Sequence, residues 1–147
     1  MNKERFNAEL RTLAQYFGKQ VRPPKNWSMS ADDRLRWLEM GVSSQSGKRY
    51  TIHIRLDGFP EVLPKVYIKS PRPLRDCRGN ALGCSGAMHV LPPDSDGSTQ
   101  VCHYGATQWS ANTGLVKVVL RVLLWLNAYE MHLQTGRNID SWLNHAG

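Results

Sequence analysis

The sequence predicts an α+β fold: a helix at the amino end, an antiparallel β-meander, one long irregular stretch, and an apolar helix near the carboxyl end. Three observations predict it. Residues 2–18 carry apolar groups at helical spacing, residues 34–70 hold three short segments rich in β-branched and aromatic side chains, and residues 114–135 are apolar around much of a helical wheel.

The first helix places Phe6, Leu10, Leu13 and Phe17 on one stripe, and Gly18 is suited to close it in a left-handed conformation. A turn is expected at Pro23-Pro24. The segments RLRWLEMGV, RYTIHIRL and KVYIKS follow, separated by a QSG turn and by a proline-flanked turn, the punctuation of a meander. Residues 70–100 are crowded with Pro, Gly, Asp, Ser and Arg without a sustained period, so they are expected to form a functional loop. The last helix is expected to start near Gly114, capped by Asn112 or Thr113. Leu115, Val118, Val119, Val122, Leu126 and Tyr129 form its stripe, and Val116, Leu120, Leu123 and Leu124 fill much of the rest, so it reads as a buried central helix. It should end at Gly136, with Ile139, Trp142 and Leu143 packing the tail back.

At 147 residues the chain reads as one domain, 1–147, large enough to bury a core without staples. It opens with no basic-then-apolar leader, and its longest greasy run, residues 118–126, is too short to span a bilayer and is broken by Arg121. A soluble cytoplasmic protein with no membrane partner is expected. Three cysteines then read as reduced thiols. The net charge of +7 favours acidic partners, but the basic residues make no run and no aromatic-and-basic platform, so a dedicated nucleic-acid face is not expected. Cys77, Cys84, His89, Cys102 and His103 are the residue types that bind zinc, although Cys77 and Cys84 are too far apart for a CxxC knuckle.

The clearest chemical signal is Cys102-His103 just before the apolar helix. A thiolate accepts an acyl group and returns it readily to an amine, splitting one difficult transfer into two easier ones, provided that it is exposed and its pKa is lowered. His103 is a candidate acid or base, but in extended backbone its ring points away from Cys102, which equally suits a locally hydrogen-bonded histidine.

Landmarks in fixed order surround that cysteine. Phe59-Pro60-Glu61-Val62-Leu63-Pro64-Lys65-Val66 leads into the third strand; Met88-His89-Val90, Gly97, Cys102 and Trp109-Ser110-Ala111 follow before the helix. Over residues 33–143 the chain resembles the ubiquitin-conjugating (UBC-like) enzymes, whose meander carries Tyr-Pro-x-x-x-Pro-x-Val and whose acceptor cysteine lies between His-Pro-Asn and Trp-Ser-Pro. Val90 and Leu91 stand where the family has Pro and Asn, so the asparagine that supports the tetrahedral intermediate is missing. The short segment after the long helix, with Tyr129 and Thr135-Gly136, is similar to a divergent bacterial branch found in antiphage operons, either cyclic-oligonucleotide (CBASS) or ubiquitin-like conjugation systems.

The resemblance implies that Cys102 receives, as a thioester, the C-terminal carboxyl of a ubiquitin-like protein or of a cyclic-oligonucleotide synthase. A ubiquitin-activating-like enzyme would load it, a protein amine would accept the group, and no cofactor is needed. His89 matches the family's loop-holding histidine. Asp94, Asp96 and Asn112 are candidates to orient the amine or steady the oxyanion, and Trp109 is expected to pin the loop after Cys102 onto the helix. Two other readings stay open: a non-catalytic UBC-like binding module, and a zinc protein using Cys77, Cys84, His89 and Cys102.

Overall fold

The computed structural model describes residues 3–18, 21–22, 36–104 and 108–143. The predicted Pro23-Pro24 turn and the first residues of the first predicted strand lie outside the described residues. The fold is α+β: an N-terminal helix, a six-stranded antiparallel sheet and a second helix.

Helix α1 (Lys3–Phe17) buries Phe6 and Leu13, and Gly18 closes it at φ 69°. A short strand β1 (Val21–Arg22) pairs with β2 (Trp37–Ser43), which pairs with β3 (Arg49–Arg55), and β3 with β4 (Lys65–Ser70). Burial alternates along β2 and β3. Leu38, Met40 and Val42 face inward from one strand, Tyr50, Ile52 and Ile54 from the other, as a sheet with one covered face requires.

Beyond β4 the structure departs from the expectation of a loop. Two short strands, β5 (Val90–Leu91) and β6 (Thr99–Val101), extend the sheet in the order β1-β2-β3-β4-β6-β5, so β6 lies between β4 and the edge strand β5. Segments of two and three residues inside a stretch rich in Pro, Gly and Asp show no measurable period, and it is pairing with β4 that makes them strands.

Helix α2 (Leu115–Thr135) covers the inner face of the sheet with Leu115, Val118, Val119, Val122, Trp125, Leu126 and Tyr129 buried. Its other face is open: Leu120 and Leu124 are 45% and 56% exposed, so the helix is buried on one side, not all round. Gly136 ends it in the left-handed conformation, its N–H donating to the His132 carbonyl. Neither Asn112 nor Thr113 caps its start. Gly114 is the cap residue and contributes no side chain, while the Glu9 carboxylate of α1 accepts the Leu115 N–H at 2.9 Å. A carboxylate at a helix N-terminus satisfies one orphan donor and complements the helix dipole.

At the other end the β2–β3 turn is tied down by Glu130, which accepts from Ser46 (2.6 Å) and Tyr50 (2.7 Å). Burial pushes the Glu130 carboxyl up, but the hydrogen bonds from Ser46, Ser44 and Tyr50 outweigh it and hold the group below the usual carboxylate range. A 3-10 helix, Ile139–Ser141, packs the buried Ile139 under the end of α2. Among the described residues no helix is long and apolar enough to cross a membrane.

Candidate functional site

Cys102 is the first residue beyond β6. Its backbone extends the ladder by one step, donating to the His89 carbonyl at 2.9 Å, next to the Val90–Val101 pair. That carbonyl, with the Met88 carbonyl, also receives the indole N–H of Trp125 from α2, at 3.1 and 3.2 Å. Trp125 is fully buried and stacks on Tyr129, whose hydroxyl donates to the Arg75 carbonyl at 2.6 Å. One aromatic pair on α2 therefore fixes both ends of the segment before His89 and the backbone that positions Cys102.

His89 itself has φ 52°, a left-handed conformation that non-glycine residues seldom adopt. The turn around it is held from several sides: its N–H donates to Gly86, the Asp140 N–H to Ala87, and its Nε2 lies 2.7 Å from the Asp140 carboxylate. The ring therefore belongs to the scaffold beside the cysteine.

The Cys102 thiol is half-buried on a small cavity of about 120 Å³, lined also by His103, Arg121, Leu124, Trp125 and Trp142. Burial raises the thiol above its ordinary value. Its Sγ lies 3.6 Å from the Tyr104 carbonyl. His103 is 3% exposed, with Nδ1 3.4 Å from the Val101 carbonyl and its ring edge-on to Tyr104. It shares the cavity with Cys102 although the two are neighbours in the chain. Arg121, nearly two turns into α2 and partly buried, places its guanidinium carbon over the Tyr104 ring, 4.4 Å from the centroid. Burial raises the Tyr104 phenol and Arg121 opposes the rise.

Trp109 packs against the core that α2 shares and also reaches the turn before β4. Its indole N–H donates to the Pro60 carbonyl at 2.9 Å, and its ring packs on Phe59 and edge-on to Tyr104, so it ties the chain after Cys102 to the turn before β4. Phe59-Pro60 and Trp109 thus meet in space, as two separate sequence landmarks.

Asp94 and Asp96 lie in the turn between β5 and β6, at the opposite end of β6 from Cys102. Arg55 bonds Asp94 at 2.5 Å; Lys69 and Arg72 bond Asp96 at 2.6 and 3.0 Å. The hydrogen bonds from Lys69 and Ser98 hold Asp96 far below the usual carboxylate range. Asn112 sits in an exposed turn and does not line the Cys102 cavity.

No family model, curated protein or solved structure matches this chain. The chemistry of the site therefore has to be argued from its own residues.

The candidate zinc set does not converge. Cys77 and Cys84 are exposed and line a different cavity, of about 340 Å³, with His132, while His89 is engaged with Asp140. Among the described residues no group of three or more His, Cys, Asp or Glu is placed to hold a metal ion. His132 is buried and held on both nitrogens, Nε2 accepting from the Cys77 N–H (3.1 Å) and Nδ1 donating to the Arg137 carbonyl (2.8 Å). Arg121, Trp125 and Glu9 are the residues that the sequence reading missed. Arg121 stood only as an interruption in an apolar run, which was itself the signal: a cation inside the greasiest stretch needs a destination.

Proposed function

We propose that this chain is a ubiquitin-conjugating-like acyl carrier. Cys102 accepts the C-terminal carboxyl of a ubiquitin-like protein, or of a cyclic-oligonucleotide synthase, from an activating enzyme as a thioester and passes it to a protein amine, within a bacterial antiphage system. The observation that carries the reading is the setting of Cys102: a half-exposed thiol at the end of a sheet strand, gripped through the His89 carbonyl and opening onto a small cavity in front of α2. A rigid backbone around the thiol presents the acyl carbon in one orientation, which is most of what such a transfer asks of a carrier. The sheet and helix order, with Phe59-Pro60 and Trp109 in contact, supports the resemblance.

One observation favours a second reading, the binding module. Burial raises the Cys102 thiol, so the resting form is protonated at neutral pH, whereas the nucleophile is the thiolate. A module of that kind forms no acyl adduct.

The two readings part in a lysate of the source cells supplied with ATP. The carrier forms a reductant-sensitive adduct that Cys102→Ala abolishes and that Cys77→Ala and Cys84→Ala retain. Cys102→Ser converts it to an oxyester that survives thiol reductant, because an alkoxide leaves less readily than a thiolate. An adduct on the Cys102→Ala protein, or no ATP-dependent adduct on the unaltered one, contradicts the carrier.

A further inference from the structure

Acyl transfer from a thioester passes through a tetrahedral oxyanion, and Val90 and Leu91 supply no side-chain donor where the resembling family has its asparagine. We infer that Arg121 is the oxyanion-binding residue of the Cys102 site, donating N–H bonds across the shared cavity to the acyl oxygen; the inference rests on the carrier reading.

Three features converge on it. Arg121 and Cys102 line the same cavity, and a space of 120 Å³ is about 6 Å across, room for one carbonyl group between a sulfur and a donor that must stand about 3 Å from the oxyanion. The guanidinium carbon stands 4.4 Å from the centroid of the Tyr104 ring, so cation–π attraction holds the charged group at the cavity that Cys102 also lines. Among the described residues no carboxylate pairs with it, whereas Arg55, Lys69 and Arg72 are spent on Asp94 and Asp96. The guanidinium is also charged at every working pH, so its help does not depend on a proton being in the right place.

The step balances without a co-reactant. The acceptor's amine nitrogen attacks the thioester carbon, forming the C–N bond as the C=O π pair moves onto oxygen, where Arg121 meets it. Collapse of the oxyanion breaks the C–S bond; Cys102 leaves as thiolate and takes up the proton that the nitrogen releases. Products are an amide and the free thiol.

The chain provides its own controls in Cys77 and Cys84, which are exposed and do not line the cavity. All three thiols are loaded with N-acetylglycine from its thiophenyl ester, excess reagent is removed, and discharge to free lysine is followed at each cysteine by peptide mass spectrometry. In the unaltered protein Cys102 discharges faster than Cys77 and Cys84. Arg121→Gln slows Cys102 discharge about a hundredfold while leaving the other two rates unchanged, and Arg121→Lys, which keeps the charge but not the fork, falls between. Added methylguanidine restores part of the rate to Arg121→Ala, a rescue that a merely structural arginine does not give. Thermal unfolding of each variant identifies any that fails to fold, and Arg121→Lys then carries the comparison. Discharge at the unaltered rate in folded Arg121→Gln overturns the role of Arg121 alone. Discharge from Cys102 no faster than from Cys77 and Cys84 in the unaltered protein overturns the carrier reading and this inference with it.

Discussion

Half-burial of the Cys102 thiol has a direct consequence for its reactivity. The charged thiolate loses solvation in the cavity, so its pKa lies above the ordinary cysteine value. The folded protein therefore holds the thiol proton to higher pH than the unfolded chain does. Alkylation of Cys102 by iodoacetamide should rise with a pH midpoint above that of the same cysteine in urea, and a midpoint at or below the unfolded value contradicts the described burial. By the same linkage, this group's contribution to stability is present below the unfolded cysteine pKa and is lost as the pH climbs through the folded one. Cys102, His103 and Trp109 were legible in the sequence because residue type and close spacing carry their signal. Arg121, Trp125 and Glu9 were not, because each acts on a partner fixed only by the tertiary fold: Tyr104, His89 and Leu115 respectively.

Elements show the same division. The two helices and the strands β2, β3 and β4 announce themselves by periodicity, and their ends fall close to the turn residues that stop them, Gly18 and Gly136 among them. The strands β5 and β6 have no period to announce. They exist because β4 offers an open ladder, and it is β6 that delivers Cys102 to the cavity. The start of α2 carries another lesson, since Asn112 and Thr113 are good capping types by sequence yet the carboxylate comes from α1. Glu9 also approaches Gly114 closely enough that a Cβ there would sit 3.3 Å from its Oε2, a contact the carboxylate would relieve by moving a few tenths of an ångström. Glu9→Ala removes a helix-cap acceptor and should cost about 1 kcal/mol in urea unfolding. Glu9→Ala with unchanged stability would mean that the α1 carboxylate does not hold the start of α2.

For the whole molecule, one continuous core joins α1, the inner sheet face and α2, and the outer side of α2 stays outside it. The sequence predicted Leu115, Val118, Val119, Val122, Leu126 and Tyr129 of the core stripe but left out Trp125 and extended the stripe too far around the helix, since apolar composition alone does not say which side meets the sheet. Leu126→Ala should therefore cost about 2–5 kcal/mol, and Leu120→Ala, on the open face, about 0.5 kcal/mol or less. Equal losses at the two positions would contradict the packing described. The core fixes the sheet, the sheet fixes β6, and β6 with the Trp125–His89 bonds fixes the thiol, the placement on which the proposed acyl-carrier role of Cys102 depends. Site mapping of the ATP-dependent adduct tests it most directly. Trypsin leaves Cys84 and Cys102 on one peptide, because no Lys or Arg lies between Arg78 and Lys117, but chymotryptic digestion or a Cys84→Ala background separates them. A carrier cysteine leaves a hydroxylamine-labile acyl remnant on Cys102 alone; a remnant on Cys77 or Cys84, with Cys102 recovered as free thiol, would rule out Cys102 as the acyl-bearing residue.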